Sequence, residues 1–183
     1  MSSYWRRSID MIRIGVISDT HGSLGAIDRC IEAAGEVACW FHLGDYISDA
    51  KALEERTGLP VYRVLGNCDW GFTRELVEAV YPEKQKRVTS ELAVSIGGAR
   101  IFLSHGHLYD VDMGSYTMGY RAEELNCAAA LYGHTHISEL SAFGSVLKLN
   151  PGSPSRPRAG RKPSFAVMEI EKGDVNASII VLK

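Results

Sequence analysis

MIRIGVISDTHGSLGAIDRCIEAAGEVACWFHLGD, residues 11–45, is the stretch whose reading decides the fold. Its opening run, Ile12 to Ser18, is a short apolar segment that stops at Asp19, the pattern of a buried strand. The next part, SLGAIDRCIEAAGE, carries apolar residues at Leu24, Ile27 and Ile31 behind an early Ser23. It reads as an amphipathic helix capped by Ser23 and ended near Gly35. A second apolar run, ACWFHLG, then stops at Asp45. Strand, helix and strand in this order form a βαβ unit of a mainly parallel sheet.

Working outward, SDAKALEERTG from Ser48 predicts a second helix to Thr57, with its own cap and a terminating Gly58, before the strand VYRVL. KRVTSELAVSIGGARIFLSHG predicts two short strands joined tightly at Gly97-Gly98, where parallel order gives way. Ser115 to Cys127 predicts a helix that Gly119 weakens, followed by the strand AAALYG. SVLKLN, PSFAVMEIEKG and DVNASIIVLK alternate and contain a Lys172-Gly173-Asp174 turn, so antiparallel strands are expected there. No fixed-period repeat or low-complexity segment is present.

The chain has 183 residues, enough for one packed core and short for two. The reading is a loose N-terminal extension over 1–11 and a single domain over 12–183. A hydrophobic fraction of 45% and a net charge of -2 describe a soluble globular protein without bulk attraction to nucleic acid or membrane. The four cysteines, Cys30, Cys39, Cys68 and Cys127, show no CxxC spacing, which fits a reducing cytoplasm. The apolar run at Met11–Ile17 is interrupted by Arg13 and is too short for a signal core or a membrane span. The sequon at Asn176 matters only in a secretory context and carries no weight.

Five apolar runs end in potential metal ligands: Asp19 with His21, Asp45, Asn67, His105, and His134 with His136. Loops beyond the carboxyl ends of strands form the ligand crevice of open α/β sheets, so these seven residues are expected to meet in space. In extended chain, residues i and i+2 share a side, so each of the two spaced pairs should aim both donors at one place. The arrangement points to a two-metal hydrolytic site.

The blocks run in order as DTH at 19–21, GDYISD at 44–49, GNCD at 66–69, HGH at 105–107, GHTH at 133–136 and NPGS at 150–153. Together they resemble the calcineurin-like metallophosphoesterase superfamily, within it the small prokaryotic phosphodiesterase branch. The resemblance spans Ile12 to about Ser153. It implies a four-layer α/β/β/α sandwich with two mixed sheets and two metals at one edge. By motif, Asp19, His21 and His136 would hold the first metal and Asn67, His105 and His134 the second, with Asp45 bridging both. Two divalent ions bring four positive charges and the two aspartates return two, leaving a centre suited to a phosphate and a bridging hydroxide nucleophile. Oxygen and nitrogen donors without thiolate fit Mn, Fe, Zn or Ni, and Mn is the favoured ion.

Many members of the superfamily carry a His where this chain has Cys68, a residue the resemblance assigns to substrate binding and protonation of the leaving oxygen. A thiol is a poorer donor than imidazolium, so phosphodiesters with good leaving groups are the expected substrates. Asn67 and Cys68 would contact substrate, and His107, two residues after His105, is the candidate to bind substrate and assist the leaving group. Alternatives are a phosphomonoesterase or protein phosphatase of the same superfamily, or a non-catalytic interaction scaffold like the retromer subunit with this fold. A nuclease would call for extra domains or a broad basic face, and neither is visible.

The remaining marked residues have blander readings. His42 is expected to be a hydrogen-bonded core histidine. Asp49 and Asp69 are expected to orient ligands or cap helices rather than bind metal. Trp70 and Tyr109 would wall the pocket or simply pack. The segment PSRPRAGRKP, 154–163, is by default a solvated loop; its alternative is contact with an anionic substrate or a partner subunit. Exposed sheet edges and this loop leave room for a homodimer.

Overall fold

A computed structural model describes residues 11–69 and 89–183; residues 1–10 of the expected extension over 1–11, and Trp70, lie outside the described residues, while Met11 already belongs to the first strand. The first sheet contains β1 (Met11–Ile17), β2 (Cys39–His42), β3 (Val61–Arg63), β9 (Ser164–Glu171) and β10 (Asp174–Val181), in the order β10-β9-β1-β2-β3. The second contains β4 (Glu91–Ile96), β5 (Ala99–Ser104), β6 (Ala129–Leu131), β7 (Glu139–Phe143) and β8 (Val146–Asn150), in the order β4-β5-β6-β8-β7. Both sheets are mixed: in the first, β1, β2 and β3 run parallel and β9 and β10 add antiparallel beyond β1; in the second, β5, β6 and β8 run parallel between the antiparallel β4 and β7.

Period-two alternation explains how the two sheets and the described helices pack as four layers. Ile14 and Val16 of β1, Phe41 of β2, Ile101 and Leu103 of β5, Leu131 of β6 and Met168 of β9 all point into one core between the sheets. The intervening residues face outward. Trp40, Val61, Phe165 and Val167 meet α1 (Leu24–Ala34) and α2 (Ile47–Thr57) on one side. Phe102, Ala130 and Val146 meet α3 (Tyr116–Glu124) on the other, through Met118 and Ala122. Strands apolar on both faces are what a sheet covered on both sides requires, and the expected α/β/β/α sandwich is the observed architecture.

The turns formed as their chemistry demands. Gly97 and Gly98, both at positive φ, close the β4–β5 hairpin, and Lys172 with Gly173 closes β9–β10. The last third is antiparallel within its hairpins, but β8 also lies parallel to β6, and β9 crosses back to pair with β1. Gly119 persists in α3 because a Cβ there would stand 2.4 Å from the Phe143 ring.

Both expected helix caps are corrected. The Ser23 hydroxyl makes no capping bond; its carbonyl starts α1 by accepting from Ala26 and Ile27. α2 begins at Ile47, before Ser48, and its first N–H donates to Asp69 Oδ1 at 2.8 Å, a cap supplied by another loop. α3 stops at Glu124, short of Cys127. Among the described residues no helix is long and apolar enough to cross a membrane.

Candidate metal centre

The carboxyl ends of β1, β2, β3, β5 and β6 open onto one edge of the sandwich, and the structure brings the seven candidate ligands together there. Asp19, His21, Asp45 and His136 each offer one ligand atom, all within 4.8 Å of one another. His21 Nε2 and His136 Nε2 are 3.1 Å apart, and Asp19 Oδ1 is 3.2 Å from His136 Nε2. Beside them stands a second group. Asn67 Oδ1 lies 3.1 Å from His105 Nε2 and 2.8 Å from His134 Nδ1. Asp45 joins the two, with Oδ2 3.7 Å from His21 Nε2 and Oδ1 3.3 Å from His105 Nε2.

The ring nitrogens show what this edge is built to hold. His105 Nδ1 lies 2.7 Å from the Leu43 carbonyl, and His136 Nδ1 lies 2.7 Å from the Arg156 carbonyl. A carbonyl only accepts, so each Nδ1 carries a proton and each ring turns Nε2 toward the centre. Those nitrogens face carboxylate and amide oxygens and another imidazole nitrogen, a cluster of donors suited to a cation held between them. A carbonyl holding the outer nitrogen of a histidine is also the usual support of a metal-ligating ring. Asp19 Oδ1, fully buried, accepts no hydrogen bond among the described residues. Burial alone would raise the Asp19 carboxyl, yet the neighbouring His136 and His105 hold it below its ordinary value. Burial would likewise lower His136, and Asp19 outweighs it and pulls the imidazole up. The donor set therefore fits a divalent cation held by Asp19, His21, Asp45 and His136, with Asn67, His105 and His134 beside it.

The expectation that each spaced pair lies in extended chain is corrected. Asp19, His21, Asp45, His134 and His136 all have φ between 46° and 68°. Left-handed backbone is uncommon outside glycine and concentrates at functional sites. Here it turns each loop sharply at a strand end. His134 and His136 consequently diverge, His134 toward Asn67 and His136 toward Asp19, rather than aiming at one place.

Other marked residues support this edge. His42 accepts from Gly44 N–H at Nδ1, so its Nε2–H donates to Thr20 Oγ1, whose hydroxyl donates to Asp49 Oδ2 at 2.6 Å. Asp49 also accepts from Gly22 N–H and so shapes the DTH loop. Asp69 accepts from Gly66 N–H as well as from α2, locking the GNCD turn. Cys68 donates its backbone N–H to Asp45 Oδ1 at 2.9 Å; burial and the Asp45 carboxylate push its thiol up to about 11, so it stays protonated. The His107 ring sits 5.4 Å from that of His105 and 6.2 Å from that of His134, with Nδ1 buried and without a hydrogen-bond partner among the described residues. Burial pushes its pKa down. Tyr109 packs edge-on against Phe102 and donates to Glu91, so it is a packing residue rather than a pocket wall.

Sequence reasoning missed several contributors. Asp112 Oδ2 lies 2.8 Å from His134 Nε2, orienting that ring from outside. Asn150 donates to the Gly133 carbonyl and Ser153 to the Asp19 carbonyl, so the NPGS turn ties the GHTH and DTH loops together. The NPGS block was visible as a motif, but nothing in its spacing disclosed this bracing role, and Asp112 carried no signal. Gly133 is required by close approach: a Cβ there would lie 1.9 Å from Ser18 Oγ and 2.6 Å from Asp19 Oδ2. Gly133→Ala is expected to push these loops apart, lowering stability by about 2 kcal/mol and the melting temperature by roughly 6 °C. Melting of parent and variant checks this; an unchanged midpoint would mean the loops yield freely.

Comparisons with known proteins converge on one family. Residues 12–173 match the calcineurin-like phosphoesterase superfamily domain. The chain is 33% identical over 161 residues to the probable metallophosphoesterase YsnB of Bacillus subtilis, covering 85% of this chain and 83% of that protein. It is 30% identical over 176 residues to the phosphodiesterase YfcE of Escherichia coli, covering 87% and 88%. Among solved structures, vacuolar protein sorting 29 from Cryptosporidium parvum superposes with a TM-score of 0.70 at 22% identity, covering 95% of this chain and all of that one, a likeness of fold.

Proposed function

Because the chain belongs to the calcineurin-like phosphoesterase superfamily, we propose that it is a metal-dependent phosphodiesterase with a dinuclear centre. The observation that carries this reading is Asp45, whose two oxygens are shared between two groups of donors with fixed, inward-facing ring nitrogens. Asp19, His21 and His136 would hold one ion and Asn67, His105 and His134 the other. Manganese is the ion expected to activate it, with Fe, Zn or Ni also suited to these donors. Two such ions, when bound, supply charge that grips phosphoryl oxygens and acidifies water.

The protein's own residues then set the preference for diesters. The protonated Cys68 thiol can donate a weak hydrogen bond to substrate but supplies no ready proton to a poor leaving group. His107 is the nearest alternative, and its lowered pKa keeps most of it neutral near pH 7, so its help should grow as pH falls. His107→Ala is expected to reduce hydrolysis of an alkyl-leaving diester about tenfold below pH 6 and to flatten the pH profile. A rate and a profile both unchanged would remove His107 from that role.

The reading is supported by relatives called phosphodiesterase and metallophosphoesterase, and four unpaired cysteines suit a reducing cytoplasm. Its test is hydrolysis of an aryl phosphodiester and the matching monoester by metal-stripped protein with and without Mn. Metal-dependent turnover favouring the diester is expected. Folded protein inactive with Mn, Fe, Zn and Ni would turn attention to partner binding.

A further inference from the structure

We propose that Arg156 and Arg158 form an anion subsite on the Asp19–His136 side of the centre, so that the preferred phosphodiester carries a second anionic group, a phosphate or a carboxylate, on one substituent. This rests on the phosphodiesterase reading and specifies its substrate class.

The segment that carries these arginines is not a free loop. Ser153 Oγ donates to the Asp19 carbonyl at 2.8 Å and Ser155 Oγ donates to the Thr20 carbonyl at 2.9 Å. The Arg156 carbonyl accepts from His136 Nδ1 at 2.7 Å, and Arg158 N–H donates to the His136 carbonyl at 3.2 Å. Each arginine is thus fastened by its own backbone to a candidate ligand. These backbone bonds place both residues at the rim of the centre, and their positive charge acts there, that of Arg156 on His21 and that of Arg158 on His136. Both residues are exposed, and among the described residues neither has a carboxylate partner.

Charge decides what this arrangement can bind. The ligand set with two divalent ions is already positive by two, and a diester with a hydroxide cancels that. With the centre so neutralised, the two guanidinium groups beside it keep a charge that a further anionic group on the substrate would match. The opposite side of the centre has the reverse sign, because Asp112 sits against His134 there. An asymmetric substrate would therefore be oriented, with its charged substituent over the arginines and its neutral one toward Asp112. Guanidinium suits this task because its planar donors match both carboxylate and phosphate.

Binding of non-hydrolysable phosphonates to Mn-loaded protein by calorimetry tests the subsite without relying on turnover. The probes are phenylphosphonate, 4-carboxyphenylphosphonate and 1,4-phenylenediphosphonate, each measured with the parent and with the double variant Arg156→Gln, Arg158→Gln. Glutamine keeps the backbone carbonyl that holds His136 and removes only the exposed charge. At low salt, the parent is expected to bind at least one probe with a second anionic group about fivefold tighter than phenylphosphonate. That ratio should fall to about one in the variant and shrink in the parent at high salt. Which of those two probes gains tells a second phosphate from a carboxylate. A parent ratio near one, or a raised ratio that survives in the variant, overturns the subsite while leaving the phosphodiesterase reading intact. Failure of all three probes to bind the Mn-loaded parent overturns both.

Discussion

Asp45→Asn is expected to reduce metal-dependent diester turnover by about 10³-fold, near 4 kcal/mol of transition-state stabilisation. The substitution keeps shape and removes a carboxylate whose two oxygens face different groups of donors, Oδ2 toward His21 and Oδ1 toward His105. The orientation of the new amide is constrained. Cys68 N–H already donates to the Oδ1 position at 2.9 Å, so the amide oxygen takes that place and the NH2 turns toward His21. The group containing Asp19, His21 and His136 then faces a donor where it needs an acceptor. Metal analysis should find about two ions per chain in the parent and about one in the variant, and Mn should raise the parent's melting temperature more than the variant's. Parent activity that survives thorough chelation, or a variant as active as the parent, would remove the two-ion reading.

Acid lability is the second large effect, and it comes from a residue outside the ligand set. Burial pushes His42 down to about 4, and its hydrogen bonds to Gly44 N–H and Thr20 Oγ1 are those of a neutral ring. In the unfolded chain the same imidazole titrates near 6.5. Between those values the unfolded state binds a proton that the folded state refuses, so stability is full above about pH 6.5 and falls as pH drops toward 4. The loss should reach about 2 kcal/mol at pH 5 and about 3 kcal/mol at pH 4. Urea unfolding of metal-stripped protein at pH 7 and pH 5 measures it, with His42→Gln as the comparison. The glutamine variant should be less stable at pH 7 and lose less on acidification; an identical loss would place the acid sensitivity in other groups.

Much of the architecture was legible because its determinants are local. A buried strand between two helical layers must be apolar on both faces, so IRIGVIS and ACWFHLG announce themselves. Gly97-Gly98 and Lys172-Gly173 mark hairpins because their positive φ is a property of the turn alone. The seven ligand candidates were readable as polar residues closing apolar runs. Contacts between distant segments were not. Asp69 caps α2 from across a loop, Asp112 supports His134 over 22 positions, and Gly133 is required only because Ser18 and Asp19 crowd it.

By itself, then, the sequence determined most of the strands, the helices, two of the hairpins and the chemical types gathered at the strand ends, since periodicity and turn chemistry act over a few residues; the strand Glu139–Phe143 was not among them. Tertiary structure decided how those types are divided. Left-handed turns at the strand ends send His134 and His136 to different neighbours, Asp45 comes to face both groups, and the NPGS turn fastens Arg156 and Arg158 to the rim. These outcomes depend on which loops the two sheets press together, and no short window of sequence contains that information.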